Sequence, residues 1–293
     1  MATTSYRTRI QVARDDIAAA FDASPSPSLT LEQLRSILNK NRQSWRLGVI
    51  SIDQFISLLT EAKLLAPVTL DFPYRKVNRF LCRIANNFEV VQSLNSAGYF
   101  SHYSAMQLNG LTKQVPKTIY FNIEQRMRPG GGTLSQEGIN RAFKGRCRTS
   151  SNIATYGDRS ICLLNGGNTD QLGAELVSAP EGDSSIRVTS LERTLIDATI
   201  RPVYSGGVYE VLGAFTAAKE RVSVNKLSAM LKKLGYTYPY HQAIGFYLER
   251  AGYRQSQLAH LRKFPIEFDF YLDYSLKHVE YDSGWRIYFP QGF

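Results

Sequence analysis

The groups in this sequence able to bind a metal or move a proton are few, and their spacing argues against both roles. The four histidines, His102, His241, His260 and His278, make neither an H-x-x-x-H nor an H-E-x-x-H pattern, and none has a cysteine close by. A zinc site needs such paired donors, so no metal site is expected. The cysteines, Cys82, Cys147 and Cys162, stand far apart without a C-x-x-C. Three thiols cannot all pair, which points to a reducing compartment and to cysteines as ordinary buried side chains. A G-x-S-x-G, a Walker loop and a G-x-G-x-x-G are all missing. Gly166–Gly167 and the glycines at 130–132 lack the Lys and Ser/Thr of a phosphate loop and read as turns. No cofactor is expected, and no catalytic residue is assigned.

Two carboxylate groupings remain. Glu267, Asp269 and Asp273 alternate with Ile266, Phe268, Phe270 and Leu272, so a strand here puts the three acids on one face. They could hold Mg²⁺, as in a nuclease or nucleotidyltransferase, but no Lys follows two residues after either acid of the Glu267-Phe-Asp269 pair. The polar outer face of an antiparallel sheet is the simpler reading. Glu192 and Asp197, five apart, do not share a helix face.

The basic residues are more informative. Lys and Arg number 35 against 25 Asp and Glu, a net charge of +10, which favours polyanionic partners. Lys40, Arg42 and Arg46, with Asn41, Gln43 and Ser44, fill one segment between two expected helices. Residues at and just before the start of a recognition helix meet phosphates and base edges in the major groove. Arg suits guanine; Gln and Asn suit adenine. Ser51, Asp53, Gln54 and Ser57 give the following helix a polar face, and Arg75, Lys76 and Arg79 are expected at the tip of a hairpin, in reach of phosphates or the minor groove. A further basic run reaches from Lys113 through Lys117, Arg126, Arg128, Arg141, Lys144 and Arg146 to Arg148, interrupted only by Glu124 and Glu137. It is a solvated face, an extra DNA contact or a patch for an acidic partner.

These groups must be held by elements, and periodicity supplies them. Helical spacing predicts a helix over 9–22, broken by Ser24-Pro-Ser-Pro-Ser28. Thr30 with Gln33 is a capping box for a helix that buries Leu31, Leu34, Ile37 and Leu38. Ser51 with Gln54 starts the next, buried through Ile52, Phe55, Ile56 and Leu59. Residues 64–72 read as a strand, Pro73-Tyr-Arg-Lys76 as a turn and 77–84 as a returning strand. Helix, helix, helix, strand, basic turn, strand is the order of a winged helix-turn-helix, assigned to residues 1–86. Behind it, residues 87–293 read as a larger mixed α/β domain. It holds a short helix over 101–110, a strand run over 118–124, a glycine-rich turn over 128–132 and strands within 153–164 and 184–189. Helices follow over 191–200, 208–219, 224–234 and 240–251, then a period-2 tail over 266–274 that pairs with 285–289. The fold class is α/β in the α+β sense. The length suits two domains. The polar start of the chain has no apolar core of a signal peptide, and no stretch nears the roughly 18 apolar residues of a membrane span. A cytoplasmic protein that contacts no membrane is expected.

Several segments resemble AbiEi-type antitoxins, the antitoxin and regulator half of type IV toxin–antitoxin pairs. They are Tyr103-Ser-Ala-Met-Gln-Leu-Asn-Gly-Leu-Thr112 with Val115-Pro116 and Thr118-Ile-Tyr-Phe121, and Ile186-Arg-Val-Thr-Ser-Leu-Glu-Arg-Thr-Leu-Ile-Asp197. Arg201-Pro202 with Ser205-Gly-Gly207 and Gln242-Ala-Ile-Gly-Phe-Tyr-Leu-Glu-Arg-Ala-Gly252 complete the set. The resemblance implies an N-terminal winged helix that represses its own operon at repeated double-stranded operator sites, which suits self-association on DNA. It also implies a non-enzymatic C-terminal domain that counters a nucleotidyltransferase toxin. This chain departs from commoner members in its longer N-terminal region and its Ser24–Ser28 linker. Within the shared motif Arg193, Asp197 and Arg201 fall at helical spacing, either as a surface for the partner or as buried structural polar groups. A Mg²⁺-dependent nuclease or nucleotidyltransferase, and a protein-interaction module on a scaffold winged helix, are the competing readings.

Overall fold

The computed structural model describes residues 5–126, 133–182 and 184–293; the glycine-rich turn expected at 128–132 lies outside them. The chain opens on helices, most of which begin at a polar capping side chain. Helix α1 (Tyr6–Val12) and α2 (Arg14–Asp22) take the place of the single helix expected over 9–22, divided at Ala13. The break keeps Ile10 and Ala13 buried along with Ile17 and Phe21. A short strand β1 (Ser28–Leu29) leads into α3 (Leu31–Asn41) and then α4 (Ile52–Glu61). The Thr30 capping box forms, its backbone N–H donating to Gln33 Oε1 at 2.8 Å while Gln33 N–H donates to Thr30 Oγ1 at 3.2 Å. Leu34 and Leu38 of α3 are buried as expected, but Leu31 is exposed.

Strands β2 (Ala66–Phe72) and β3 (Arg75–Leu81) form an antiparallel hairpin in which Phe72 faces Arg75, and β1 adds to β3 for a sheet order β1-β3-β2. The turn is therefore Pro73–Tyr74 alone, and Arg75 and Lys76 already belong to the strand. The proline-rich segment before β1 is held by Arg83, which donates to the carbonyls of Asp22 at 3.0 Å and Ser24 at 2.9 Å. Helix α5 (Asn87–Gln92) follows, capped by Asn86 with the buried Glu89 at its third position.

The chain forms two compact units. The first holds the described residues up to Ala97 together with Asn152–Asp158 and Leu176–Ile186; it extends past the boundary expected at Asn86. Its later segment is tied in by Asn86, which donates to the Pro180 carbonyl at 2.7 Å, and by Glu89, which accepts from the Ser184 hydroxyl. Its core gathers Ile17, Phe21, Leu34, Trp45, Phe55 and Leu59.

The remaining elements are β4 (Tyr99–Phe100), α6 (His102–Leu108), β5 (Thr118–Asn122), α7 (Gln136–Lys144), β6 (Ile153–Tyr156), β7 (Arg159–Leu164), β8 (Ala174–Ser178) and β9 (Ser185–Thr189). After them come α8 (Leu191–Ile200), α9 (Val208–Ala218), α10 (Val224–Leu234), α11 (Tyr240–Arg250), α12 (Gln255–Leu258), β10 (Phe270–Tyr271), β11 (Val279–Asp282) and β12 (Ile287–Pro290). The second unit is centred on the strand run β7-β5-β4-β9, with β5 parallel to β7, β4 parallel to β9, and β4 antiparallel to β5. Helix α8 contributes Leu195 and Ile196 to a core that includes Phe215, Tyr247 and Trp285. The fold is of the α+β class. Helix α7, which pattern reading passes over, turns Ile139 and Phe143 inward.

The strand expected over 266–274 shrinks to β10. It pairs in parallel with β12, within the region expected to be its partner. The shortening has a visible cause: Gln136 caps the Asp269 backbone, donating to its carbonyl at 2.9 Å and accepting from its N–H at 2.7 Å, while Gln242 takes the Phe268 carbonyl at 2.8 Å. Side chains occupy the groups a longer ladder would have used.

Candidate nucleic-acid interface and a basic cavity

In the first unit α4 is anchored by Phe55 and Leu59, both fully buried. Its opposite face leaves Ser51, Asp53, Gln54 and Ser57 exposed. Ser51 caps the helix by accepting from the Gln54 N–H at 3.1 Å, which fixes where that polar face begins. Lys40 ends α3 and is exposed, as are Gln43, Ser44 and Arg46 in the connecting loop. Ser44 donates to the Asn41 carbonyl at 2.9 Å, and the Arg46 carbonyl accepts from Arg9 at 2.9 Å. Arg42 is different. Its Nη1 bridges the carbonyls of Gly48 at 2.8 Å and Ile50 at 2.9 Å, and its Nε donates to Asn39 at 3.1 Å. It clamps the loop that leads into α4.

At the hairpin Arg75 and Lys76 are exposed, Lys76 lying 3.3 Å from the equally exposed Asp71. Arg79, expected beside them, is not at the tip. It sits opposite Val68 in mid-strand, only 8% exposed, and donates to the Ser93 carbonyl, the Ser93 hydroxyl and the Asn78 carbonyl. Burial and the neighbouring Arg75 lower its pKa. Two residues of strand separate a tip cation from one that turns inward, so Arg79 ties the hairpin to the end of α5.

The second unit contains a cavity of about 830 Å³. It opens where β5 and β7 end, at Asn122 and at the loop from Asn165 to Asp170, and is closed by α8 and the end of α10. Carboxyl ends of parallel strands are where open α/β sheets place ligands. The loop is fixed from below. Asn122 accepts from the Gly166 N–H at 2.9 Å, and Glu124 accepts from the N–H groups of Thr169 at 3.0 Å and Gln171 at 3.2 Å. Burial pushes the Glu124 carboxyl up, yet the bonds from Thr169, Gln171 and Tyr99 prevail and hold it below the ordinary range. Gly166 is required there: a Cβ would stand 2.8 Å from Asn122 Oδ1.

Arg193, Asp197 and Arg201 all line this cavity. Arg193 and Asp197 are a buried ion pair, 2.8 Å apart, and Arg193 also donates to the Leu172 carbonyl at 2.6 Å. Burial disfavours the Arg193 charge, but Asp197 holds it protonated. Enclosed in this way, Arg193 and Asp197 fit the buried structural alternative of the two expected for this motif and not an outer partner surface. Arg201 is half-buried and donates to Tyr274 OH at 3.1 Å and Cys147 Sγ at 3.2 Å. His102, at the start of α6, is pushed down to about 4 by burial and stays neutral at physiological pH. Arg148 and Lys233 complete the basic lining. Sequence reading missed Lys233, Asn122 and the loop because they come from separate elements; the only local signal was Arg193 and Asp197 one helical turn apart.

The carboxylates of the tail do not assemble. Asp269 is bound by Arg286 at 2.9 Å and Tyr281 at 2.6 Å, while Asp273 accepts from the Tyr274 N–H at 2.7 Å. Among the described residues no group of three or more His, Cys, Asp or Glu is placed to hold a metal ion, and no helix is long and apolar enough to cross a membrane.

No family model matches this sequence, and no curated protein matches it significantly. Among solved structures the chain is similar to the RV2827C protein from Mycobacterium tuberculosis, with a TM-score of 0.61 and 14% sequence identity, covering 95% of this chain and 91% of that one. At that identity the likeness is one of fold.

Proposed function

We propose that the protein is a DNA-binding repressor that reads double-stranded operator DNA through its first unit. The observation that carries this reading is α4: an amphipathic helix pinned by Phe55 and Leu59, with Ser51, Gln54 and Ser57 facing outward and preceded by a loop bearing Gln43 and Arg46. The order α2, β1, α3, α4, β2, β3 with the sheet order β1-β3-β2 supports reading this region as a winged helix-turn-helix, a motif whose second helix enters the major groove. Lys40, Arg75 and Lys76 then serve phosphates. Arg42 supports the reading head instead of touching DNA, and Arg79 supports the wing. From the resemblance to AbiEi-type antitoxins we add that the operator is the protein's own and that the second unit counters a nucleotidyltransferase toxin. More than one copy then binds repeated sites in the cytoplasm, where free Cys82, Cys147 and Cys162 stay reduced.

The test is binding of the full chain to DNA upstream of its own gene and to scrambled DNA across a salt series. Selective binding with a steep salt slope is expected, because neutralised phosphates release counterions. Gln43→Ala/Gln54→Ala should erase selectivity and keep the slope. Equal, weak binding to both DNAs would sink the repressor reading.

A further inference from the structure

The cavity of the second unit has a charge balance that the fold does not explain. Asp197 is matched by Arg193. Arg148, Arg201 and Lys233 also face the space, and among the described residues none of them forms an ion pair. Asp170 is the one other carboxylate in the lining; it is exposed and accepts from Asn168 at 3.1 Å. Arg201 is the telling group. Its guanidinium is drawn half out of water, donates to a phenol and a thiol, lies over the Tyr274 ring at 5.6 Å, and has only a longer-range attraction to Asp273, with which it forms no ion pair. A half-buried cation with no carboxylate in ion-pairing contact gains from the arrival of an anion.

We propose that this cavity binds a nucleoside di- or triphosphate. Three unpaired cations outnumber what one carboxylate could satisfy and suit a chain of phosphates, for which Arg offers a planar fork and Lys a point charge. The volume of about 830 Å³ lies within the range of small-molecule sites. The rest of the lining suits a nucleoside. Tyr204 and Tyr236, both partly exposed, supply rings for a base, and Asn165 and Thr237 supply amide and hydroxyl groups for its edge. The loop is already held by Asn122 and Glu124, so little ordering accompanies binding. This proposal does not rest on DNA binding by the first unit.

Isothermal titration of the full chain with ATP, tripolyphosphate and adenosine tests it. ATP should bind at micromolar levels, with adenosine about a hundredfold weaker and tripolyphosphate about tenfold weaker. Lys233→Gln removes an exposed, unpaired cation, so folding is spared; it and Arg201→Gln should each weaken ATP about tenfold or more. Lys40→Ala/Arg75→Ala/Lys76→Ala, which removes three exposed cations of the first unit, should leave ATP binding unchanged. Absence of saturable ATP binding up to millimolar levels overturns the proposal. So does ATP binding that the triple variant loses and Lys233→Gln keeps. Tripolyphosphate binding as tightly as ATP overturns the nucleoside assignment.

Discussion

The two units carry their positive charge in different ways. In the first, Lys40, Arg46, Arg75 and Lys76 are exposed, and the one ion pair among them, Lys76 with Asp71, lies in water at 3.3 Å. In the second, Arg193 is buried against Asp197 and three backbone or side-chain oxygens, and Arg201 is half-buried beside a cavity. Exposed pairs contribute little to stability and are screened by salt. Buried ones fix geometry and are costly to break. The first unit also has inward cations in Arg42 and Arg79 and the second an exposed one in Lys233, so it is burial that separates architectural cations from free ones, and the contrast can be tested at both ends.

The largest effect should come from Arg193→Leu. It strands the buried Asp197 and should cost about 3–5 kcal/mol in urea unfolding, with hydrogen exchange placing the loss in α8 and the loop at 169–172. Arg193→Met/Asp197→Leu should recover much of this. If the double variant were no better than the single, the pair would not be the cause.

Next comes Lys40→Ala/Arg75→Ala/Lys76→Ala. Here the unfolding midpoint should not move, while the salt slope of DNA binding falls by about three, one per lost phosphate contact. An unchanged slope would remove the hairpin tip from the interface.

Arg79→Ala sharpens the comparison within one strand. Loss of its bonds to Ser93 and Asn78 should cost about 1–3 kcal/mol, whereas Arg75→Ala should be neutral for stability.

The smallest effect separates the units by acid. All four histidines follow residue 97 in the sequence and fall in the second unit. Burial pushes both His102 and His241 from the usual 6.5 down to about 4. Between those values the unfolded chain binds protons that the folded one refuses, so stability falls as pH drops below 6.5. The loss should be on the order of 1 kcal/mol per histidine near pH 5.5. Hydrogen exchange should show it in α6 and α11. His241→Leu should flatten the profile; an unchanged profile would show that another group titrates.

Much of this was legible in the sequence, and the failures have physical reasons. Caps were readable because they are local: Thr30 and Ser51 each meet a backbone N–H three residues on. The hairpin was readable from alternation, but its turn was misplaced because Pro73–Tyr74 carries no glycine signal. Arg79 was misassigned because it shares a strand face with the exposed Arg75, and its partner Ser93 lies on another element. Helix α7 escaped notice among its many cations. The cavity was beyond sequence reading, because Asn122, Gly166, Arg201 and Lys233 meet only through the crossing of β5, β7, α8 and α10. Gly166–Gly167, which read as a turn, proves to be a wall.

The division of the chain has one more consequence. The first unit is completed by Asn152–Asp158 and Leu176–Ile186, which arrive after much of the second unit has been threaded. A ribosome must therefore release residue 186 before the first unit has all its parts. A single protease nick at the 97/98 junction leaves the second unit on one piece of polypeptide and divides the first between two. Shuffling of genes cannot transplant the first 97 residues onto another protein without leaving behind the strand Ile153–Tyr156 and the segment that Asn86 and Glu89 hold. A gene product cut short just after residue 186 would keep every segment of the first unit and lose most of the second, whereas one that starts at residue 98 would keep the second whole and lose most of the first.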